Sequence, residues 1–211
     1  AIIMDGNRRW ARRQGLDITE GHSYVANEVI KDLSKHAIER GIEYLTLWAF
    51  STENWNRPEE EVTAIMELFR EAFDKSAEQL HEEGVRLEMI GDLERFPDDI
   101  QENVQYWIEE TKQNDTLTVT FALNYGGRDE ILRAVRLLAD EVLSGELSPN
   151  EIDQEEFSSH LDTAGTPDPE LIIRPGGEQR LSGFLPWQAE YSEYYFTDTL
   201  MPDFTPKKFD E

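Results

Sequence analysis

Short apolar segments rich in β-branched and aromatic residues recur along the chain and predict the strands of a sheet. They cover residues 1–4, 43–50, 85–90, 117–123, 171–174 and 194–196. Between them, apolar residues recur at helical spacing over residues 22–40, 58–83, 97–113 and 128–143. Strands that alternate with helices are typical of βαβ units. We therefore predict an α/β fold with a central, mostly parallel, six-stranded sheet flanked by helices.

The chain contains no internal repeat, low-complexity stretch or linker, so we predict a single domain over residues 1–211. The abrupt start at Ala1 leads us to expect further residues before it. No apolar run approaches the ~20 residues that a membrane span needs. We expect a cytoplasmic protein with at most peripheral membrane contact.

The chain is strongly negative, because it contains 45 acidic and 20 basic residues and therefore has a net charge of −25. This balance argues against nucleic acid as a partner. Six lysines against fourteen arginines favour adaptation to high salt, where screening relieves the self-repulsion, over an ordinary acidic cytosolic protein. The absence of cysteine excludes a disulfide framework, a thiolate zinc site and a thiol nucleophile.

Polar, glycine-rich and arginine-rich segments follow the predicted strands, at residues 5–13, 51–58, 91–92, 124–128 and 174–180. Because the carboxyl ends of parallel strands meet at one edge of a sheet, we expect these segments to converge there. The forked guanidinium group of arginine and the backbone N–H groups of glycine turns both suit phosphate oxygens. The alternative for any single arginine is a surface ion pair.

Two carboxylates among these arginines, Asp5 and Glu193, are candidate ligands of Mg²⁺. The alternatives are a helix N-cap for Asp5 and an arginine partner for Glu193. The chain has neither a G-x-x-x-x-G-K-[ST] loop nor a G-x-G-x-x-G motif, so we do not expect a Rossmann nucleotide site.

Four segments together resemble the cis-prenyltransferases of the undecaprenyl diphosphate synthase type. They are AIIMDGNRRWARRQG at 1–15, WAFSTENWNRP at 48–58, ALNYGGRDE at 122–130, and the stretch from LIIRPGGEQR to LMPDF at 171–204. The resemblance implies the α/β fold of that family, Mg²⁺ as cofactor and usually a homodimer. It also implies the condensation of isopentenyl diphosphate units onto an allylic diphosphate with formation of Z double bonds.

The resemblance also assigns roles to individual residues. Asp5 matches the essential aspartate that assists Mg²⁺ and diphosphate departure, and Glu193 matches a second metal carboxylate. Asn54 matches a position linked to proton removal; since a neutral amide is a poor base, we expect it to position a proton path. The implied substrate-binding residues are Gly6, Asn7, Arg8, Arg9, Trp10 and His22, then Ser51, Thr52, Glu53, Trp55 and Arg57, and finally Arg174, Arg180, Leu181 and Ser182.

Three features depart from the family pattern. Residues 18–22 lack the arginine that often precedes the Gly-His pair, so a diphosphate contact is either lost or supplied by Arg12 or Arg13. Pro175 stands where a small hydroxyl residue is common. The sequence stops at Glu211 without the basic tail that often closes over the second substrate, so we expect further residues after it.

The product of such an enzyme requires an apolar channel. Candidate wall residues lie on the second long helical segment and on two strands, with an ordinary hydrophobic core as the alternative: Ile65, Met66, Phe69 and Phe73, and Leu45, Leu47, Phe121 and Leu123.

The leading hypothesis is an enzyme that makes a long-chain Z-polyprenyl diphosphate, the precursor of a glycosyl carrier lipid. A salt-adapted archaeal source would favour geranylgeranyl diphosphate as primer, and a bacterial source would favour farnesyl diphosphate. The alternative is a non-catalytic partner subunit of a heteromeric cis-prenyltransferase. The sequence argues against that alternative, because Asp5, Asn54, Arg174, Arg180 and Glu193 are all present.

Overall fold

The computed structural model describes the backbone of residues 1–211 and the side chains of all of them except Asp74. Six strands form one sheet in the order β3-β4-β2-β1-β5-β6. They are β1 (Ile2–Ile3), β2 (Tyr44–Ser51), β3 (Val85–Gly91), β4 (Leu117–Tyr125), β5 (Leu171–Pro175) and β6 (Glu193–Thr197). Every neighbouring pair in the sheet is parallel. The predicted α/β class and six-stranded sheet are confirmed, and the sheet is wholly rather than mostly parallel.

Eight α-helices surround the sheet. They are α1 (Asn7–Gln14), α2 (Ile18–Tyr24), α3 (Ile30–Glu39), α4 (Glu59–Glu82), α5 (Asp98–Thr111), α6 (Gly127–Ser144), α7 (Gln154–Ser159) and α8 (Pro206–Phe209). A π-helical turn, Val25–Val29, joins α2 to α3, and 3₁₀ turns cover Thr52–Asn56 and Met201–Asp203. The four predicted helices are present.

Helix α1 is not among the four helices predicted from the sequence. Gly6 precedes the helix with a φ of 104°, and Gly15 ends it with a φ of 72°. Asp17 then starts α2, where its carboxylate accepts a hydrogen bond from the Thr19 backbone N–H at 3.0 Å. The segment after β1 is therefore a rigid helical hairpin rather than a free loop.

The two faces of the sheet are covered differently. One face packs against α3, α4 and α5, with Leu33, Phe73 and Ile100 in its core. The other face packs against the segment that follows β5, through the buried side chains of Phe184 and Leu185. Trp48 on β2 stacks on Phe184, with ring centroids 5.0 Å apart. Both faces of the sheet are thus covered by packed side chains.

A buried polar network also ties α6 to the sheet. Glu130 is 1% exposed, and it accepts hydrogen bonds from the Tyr125 hydroxyl at 2.5 Å and the Asp162 backbone N–H at 3.1 Å. Gln188 donates to the same carboxylate at 3.2 Å. Burial raises the pKa of the Glu130 carboxyl group. The network fixes the segment around Gln188 relative to the carboxyl end of β4.

Candidate active site

A cavity of about 450 Å³ opens at the carboxyl edge of the sheet, where the sequence predicted the convergence of five segments. Strand order reverses here, because the chain passes from β1 to β2 on one side and later returns to β5 on the other. The rim of the cavity is polar and comprises Asp5, Asn7, His22, Ser51, Glu53, Asn54, Arg57, Arg174 and Ser182. Its interior is apolar and includes Ile65, Phe69, Phe73, Leu80, Leu87, Phe121 and Leu123. The arrangement suits a molecule with an anionic head and a hydrocarbon tail.

Asp5 and Arg174 form the centre of the rim. Arg174 is 6% exposed, and its guanidinium donates to Asp5 Oδ2 at 3.1 Å. Arg9 Nη2 lies 3.3 Å from the other oxygen, Asp5 Oδ1. One carboxylate therefore holds two guanidinium groups, and the local charge is positive before any ligand binds.

Arg174 also organises the segment after β5. Its guanidinium donates to Ser182 Oγ at 2.9 Å and to the backbone oxygen of Arg180. Gly176, with a φ of 102°, packs so closely that a Cβ atom there would lie 2.8 Å from Arg9 Nη2. This glycine brings the backbone after β5 against the side chains of α1.

Asn7 and His22 lie side by side on the rim. Asn7 Nδ2 is 3.2 Å from His22 Nδ1. Gly21 allows this approach, because a Cβ atom there would lie 2.2 Å from the Asn7 backbone oxygen. Asn7 Oδ1, His22 Nε2 and Arg174 Nε are buried without a hydrogen-bond partner. Such polar atoms are costly unless a ligand or water satisfies them.

His22 carries an unusual pKa. Burial, followed by the charges of Arg57 and Arg8, lowers its pKa from 6.5 to about 4. The imidazole is therefore neutral at pH 7, and its unpartnered nitrogen can bind an oxygen ligand only as the tautomer that carries the proton there.

The lowered pKa of His22 predicts how the stability of the fold depends on pH. A histidine whose pKa is lower in the folded chain binds fewer protons there than in the unfolded chain. Its contribution to the free energy of unfolding is complete above pH 6.5 and falls as the pH drops toward about 4. The contribution that is lost over this range is about 3 kcal/mol.

Urea unfolding at a series of pH values between 7 and 4 measures this effect. In a His22→Asn variant, which cannot be protonated, the slope of stability against pH in this range should become shallower. Equal slopes in the two proteins would contradict the lowered pKa of His22 in the folded chain.

Residues 51–58, the second of the predicted polar segments, contribute to the site through the 3₁₀ turn Thr52–Asn56. Asn54 Oδ1 accepts a hydrogen bond from the Ser51 backbone N–H at 3.0 Å, and the Ser51 side chain accepts from the Asn54 backbone in return. Because an N–H group can only donate, the oxygen of the Asn54 amide is the acceptor in the turn. The amide NH₂ group remains for a ligand, so Asn54 offers the cavity a hydrogen-bond donor.

Arg57 and Arg8 come from two different segments and share one partner. Arg57 Nη1 donates to Glu61 Oε1 at 2.8 Å, and Arg8 Nη1 lies 3.5 Å from the same oxygen. Glu61 was not singled out by the sequence analysis. The signal for it was weak, since it is the last of three consecutive glutamates at the start of α4.

Several residues implied by the resemblance lie beside the cavity rather than on its wall. Trp10 stacks on Tyr24 at 5.3 Å and donates to Asp203. Trp55 donates to Asn124 Oδ1 at 2.8 Å and lies under the Arg95 guanidinium. Thr52 packs against Gly126.

Other implied residues support or border the rim. Gly6 packs against Leu200, and Arg180 pairs with Glu178 at the exposed outer side of the segment after β5. Leu181 packs against the second core, which contains Phe184. Arg12 and Arg13 are exposed in the last turn of α1 and do not line the cavity.

Glu193 is not brought to Asp5 within one chain. It begins β6 and pairs with Leu171, three positions before Arg174 on β5. At about 3.3 Å per residue, Glu193 lies roughly 10 Å toward the amino edge of the sheet. A single chain therefore offers Asp5, without Glu193, as the carboxylate at the centre of the rim.

The predicted channel wall is only partly present. Ile65, Phe69, Phe73, Phe121 and Leu123 line the cavity. Met66, Leu45 and Leu47 are buried in the hydrophobic core instead. For these three the alternative interpretation, ordinary core, is correct.

The donors present fit a divalent cation of the Mg²⁺ type when an anionic ligand is bound. Mg²⁺ prefers oxygen ligands and commonly uses one or two carboxylates together with substrate phosphates and water. Asp5 offers carboxylate oxygens at the rim, and the unpartnered Asn7 Oδ1 is a further oxygen there. Because Arg9 and Arg174 already offset the charge of Asp5, a cation fits best together with a diphosphate.

A separate group of metal-type ligands lies outside this cavity. Glu141, Glu156 and His160 approach one another between α6 and α7. None of the three lines the rim.

Among the described residues, no helix combines the length and apolar character needed to cross a bilayer.

Comparison with known proteins agrees with this geometry. Residues 3–211 match the Prenyltransf family of undecaprenyl diphosphate synthases. The farnesyl-diphosphate-specific ditrans,polycis-undecaprenyl-diphosphate synthase of Escherichia coli (strain K12) is 48% identical over all of this chain and 83% of its own length. The enzyme of the same name from Micrococcus luteus is 47% identical over 97% of this chain and 82% of its own.

A solved structure is also similar. Lavandulyl diphosphate synthase from Lavandula x intermedia, in complex with dimethylallyl diphosphate, superposes with a TM-score of 0.93 at 37% identity. The match covers 97% of this chain and 88% of that one. The chain described here therefore belongs to the cis-prenyltransferase family of undecaprenyl diphosphate synthases.

Proposed function

We propose that this protein condenses several isopentenyl diphosphates onto an allylic diphosphate and so makes a long-chain Z-polyprenyl diphosphate. The observation that carries the proposal is the continuity of one cavity, with an arginine- and amide-lined rim and an apolar interior. Each chemical half of a prenyl diphosphate has a matching surface there.

The rim residues account for the first chemical step, in which the C–O bond to the allylic diphosphate breaks. The leaving diphosphate gains negative charge, which Arg9, Arg174 and the donor groups around Asn7 stabilise at fixed positions. The allylic carbon becomes electron-poor. The alkene of isopentenyl diphosphate, held alongside by the segment after β5, attacks that carbon and forms the new C–C bond.

Loss of a proton from the former isopentenyl unit completes the addition. Asn54 does not accept that proton, because a neutral amide is a poor base. Its NH₂ group instead orients an acceptor oxygen, and a diphosphate oxygen or a water molecule is the base.

Mg²⁺ is the proposed cofactor, with Asp5 as its protein ligand. When bound, it would neutralise charge on a diphosphate and so assist its departure. Glu193 retains its proposed role as a metal carboxylate only if another chain presents it. Arg57 and Ser182 line the cavity and are proposed substrate-binding residues. The same role stays a proposal for Arg8, Arg180 and Leu181, which lie outside the cavity lining.

Farnesyl diphosphate is the proposed primer. The names of the Escherichia coli and Micrococcus luteus relatives specify that substrate, and both relatives are nearly half identical to this chain. Geranylgeranyl diphosphate is the second candidate. The role of a non-catalytic partner subunit is disfavoured, because Asp5, Arg174 and Ser182 are assembled around one cavity.

A homodimer is the proposed assembly. Helix α6 exposes an apolar stripe at helical spacing that includes Leu132, Val135 and Leu143, and Leu143 is 84% exposed. The edge strand β6 also exposes Tyr194. Light scattering of the purified protein should give twice the mass of 24.5 kDa.

One assay tests the function. The protein is incubated with Mg²⁺, labelled isopentenyl diphosphate and either farnesyl or geranylgeranyl diphosphate, at low salt and in molar KCl. We expect elongation from farnesyl diphosphate, with greater activity at high salt because the net charge of −25 needs screening. Failure of a folded, full-length protein to elongate either primer would overturn the proposal.

A further inference from the structure

Glu61 is a buried carboxylate outside the set of residues assigned above. It lies in the first turn of α4 and is 7% exposed, whereas its neighbours Glu59 and Glu60 are exposed. A buried carboxylate is stable only when it is paired. The attraction between acidic side chains and a helix N-terminus does not explain why Glu61 is buried, because the exposed Glu59 and Glu60 already provide that attraction.

Its partners are two arginines from separate parts of the chain. Arg57 follows β2 and the 3₁₀ turn, and Arg8 lies in α1 after β1. Both guanidinium groups meet Glu61 Oε1, at 2.8 Å for Arg57 and 3.5 Å for Arg8. One carboxylate thus links the two segments that follow the central strands β1 and β2.

The two arginines lie near the cavity. Arg57 lines it directly, and both positive charges act on His22, which lies on the rim. Arg8 Nε is buried without a partner. Glu61 is absent from the cavity lining, whereas its partner Arg57 is part of it, so Glu61 lies behind Arg57 as seen from a ligand.

We propose that Glu61 is a positioning residue that holds Arg8 and Arg57 together at the rim, where their free N–H groups bind the diphosphate of the primer. The inference rests on the proposed function for the identity of that diphosphate. Two adjacent guanidinium groups repel each other, and a shared carboxylate behind them offsets that repulsion. Without its charge the two segments lose their common anchor, and the arginines no longer converge on one anion.

The test uses inorganic pyrophosphate as a probe, because its binding requires no turnover. Calorimetry with the full chain compares the wild type with Glu61→Gln, which keeps the shape of the side chain but removes its charge. We expect Glu61→Gln to bind pyrophosphate about tenfold more weakly, since a neutral amide does not offset the repulsion between the two guanidinium groups. In the elongation assay the KM for farnesyl diphosphate should rise by a similar factor, with a smaller change in kcat.

Two further variants make the result specific. Glu60→Gln, an exposed change in the same helical turn, should bind pyrophosphate within about twofold of the wild type. Glu61→Asp retains the charge on a shorter side chain and should fall between the wild type and Glu61→Gln. It also provides the comparison if Glu61→Gln does not fold.

The outcomes separate this inference from the proposed function. Pyrophosphate binding by Glu61→Gln at wild-type affinity, or more tightly, would overturn the positioning role even if elongation is confirmed. Weakened binding in Glu61→Gln, together with a wild type that elongates no primer, would support the positioning role for an anion and overturn the proposed function alone.

Discussion

Replacement of Asp5 by alanine is expected to lower kcat/KM for elongation by about 10³-fold. The carboxylate is the shared partner of Arg9 and Arg174, and it is the proposed protein ligand of Mg²⁺. Its loss removes the cation ligand and frees both guanidinium groups from their fixed positions. Steady-state kinetics with farnesyl diphosphate and isopentenyl diphosphate measure the effect.

Two controls sharpen the Asp5 experiment. Asp5→Asn keeps the size of the side chain and one oxygen, so we expect an activity between those of the wild type and Asp5→Ala. Asp99→Asn removes an exposed carboxylate that pairs with Arg70 on the surface, and it should leave elongation unchanged. Retention of more than a tenth of wild-type activity by Asp5→Ala would rule out the central role given to this carboxylate.

Replacement of Arg174 by lysine is expected to have the second-largest effect, with a loss of about 10²-fold or more in kcat/KM. Arg174 is 6% exposed, and its forked guanidinium donates hydrogen bonds to Asp5, Ser182 and the Arg180 backbone oxygen at once. A lysine ammonium is a point charge and cannot reach all three. We expect the KM for isopentenyl diphosphate to rise, because the segment after β5 loses its anchor.

The same substitution should destabilise the fold by about 2 kcal/mol, since the buried Arg174 side chain loses charge-assisted hydrogen bonds that a lysine cannot replace. Urea unfolding measures that change. Arg180→Lys is the matched comparison, because Arg180 is exposed and pairs with Glu178. It should alter the kinetics with almost no loss of stability. Equal stability of wild type and Arg174→Lys would contradict the role of Arg174 as an anchor.

The sequence predicted the sheet and its reactive edge because those features depend on local patterns. Apolar strands punctuated by glycine and polar residues identify where each strand ends, and parallel pairing then brings Asp5 and Arg174 together. Helix α1 was missed, because its four arginines leave no apolar stripe and its two glycine boundaries also suit a loop.

Features that depend on pairing between distant segments were harder to predict. The distance of Glu193 from Asp5 follows from the register of β6 against β5, which no local pattern specifies. Trp10 and Trp55 belong to motifs typical of substrate loops, yet their indole N–H groups bind Asp203 and Asn124 instead. Glu61 contacts Arg8 only because α1 and the start of α4 come together in the fold, and no local pattern indicates that contact.

The π-helical turn between α2 and α3 has a consequence for how this region tolerates change in length. Each residue of a regular helix advances the facing direction by about 100°. The wider turn at Val25–Val29 alters that phase, so Gly21 and His22 face the rim while Leu33 and Ala37 face the sheet. Deletion of one residue from this turn would give a regular α-helix and leave His22 and the core residues of α3 close to their present directions, because a π turn holds one more residue than an α turn. Insertion of a further residue would instead rotate His22 by about 100° relative to α3 and away from Asn7. The number of residues between His22 and the core of α3 is therefore a constraint that substitutions along the helix do not test, and a single insertion there does.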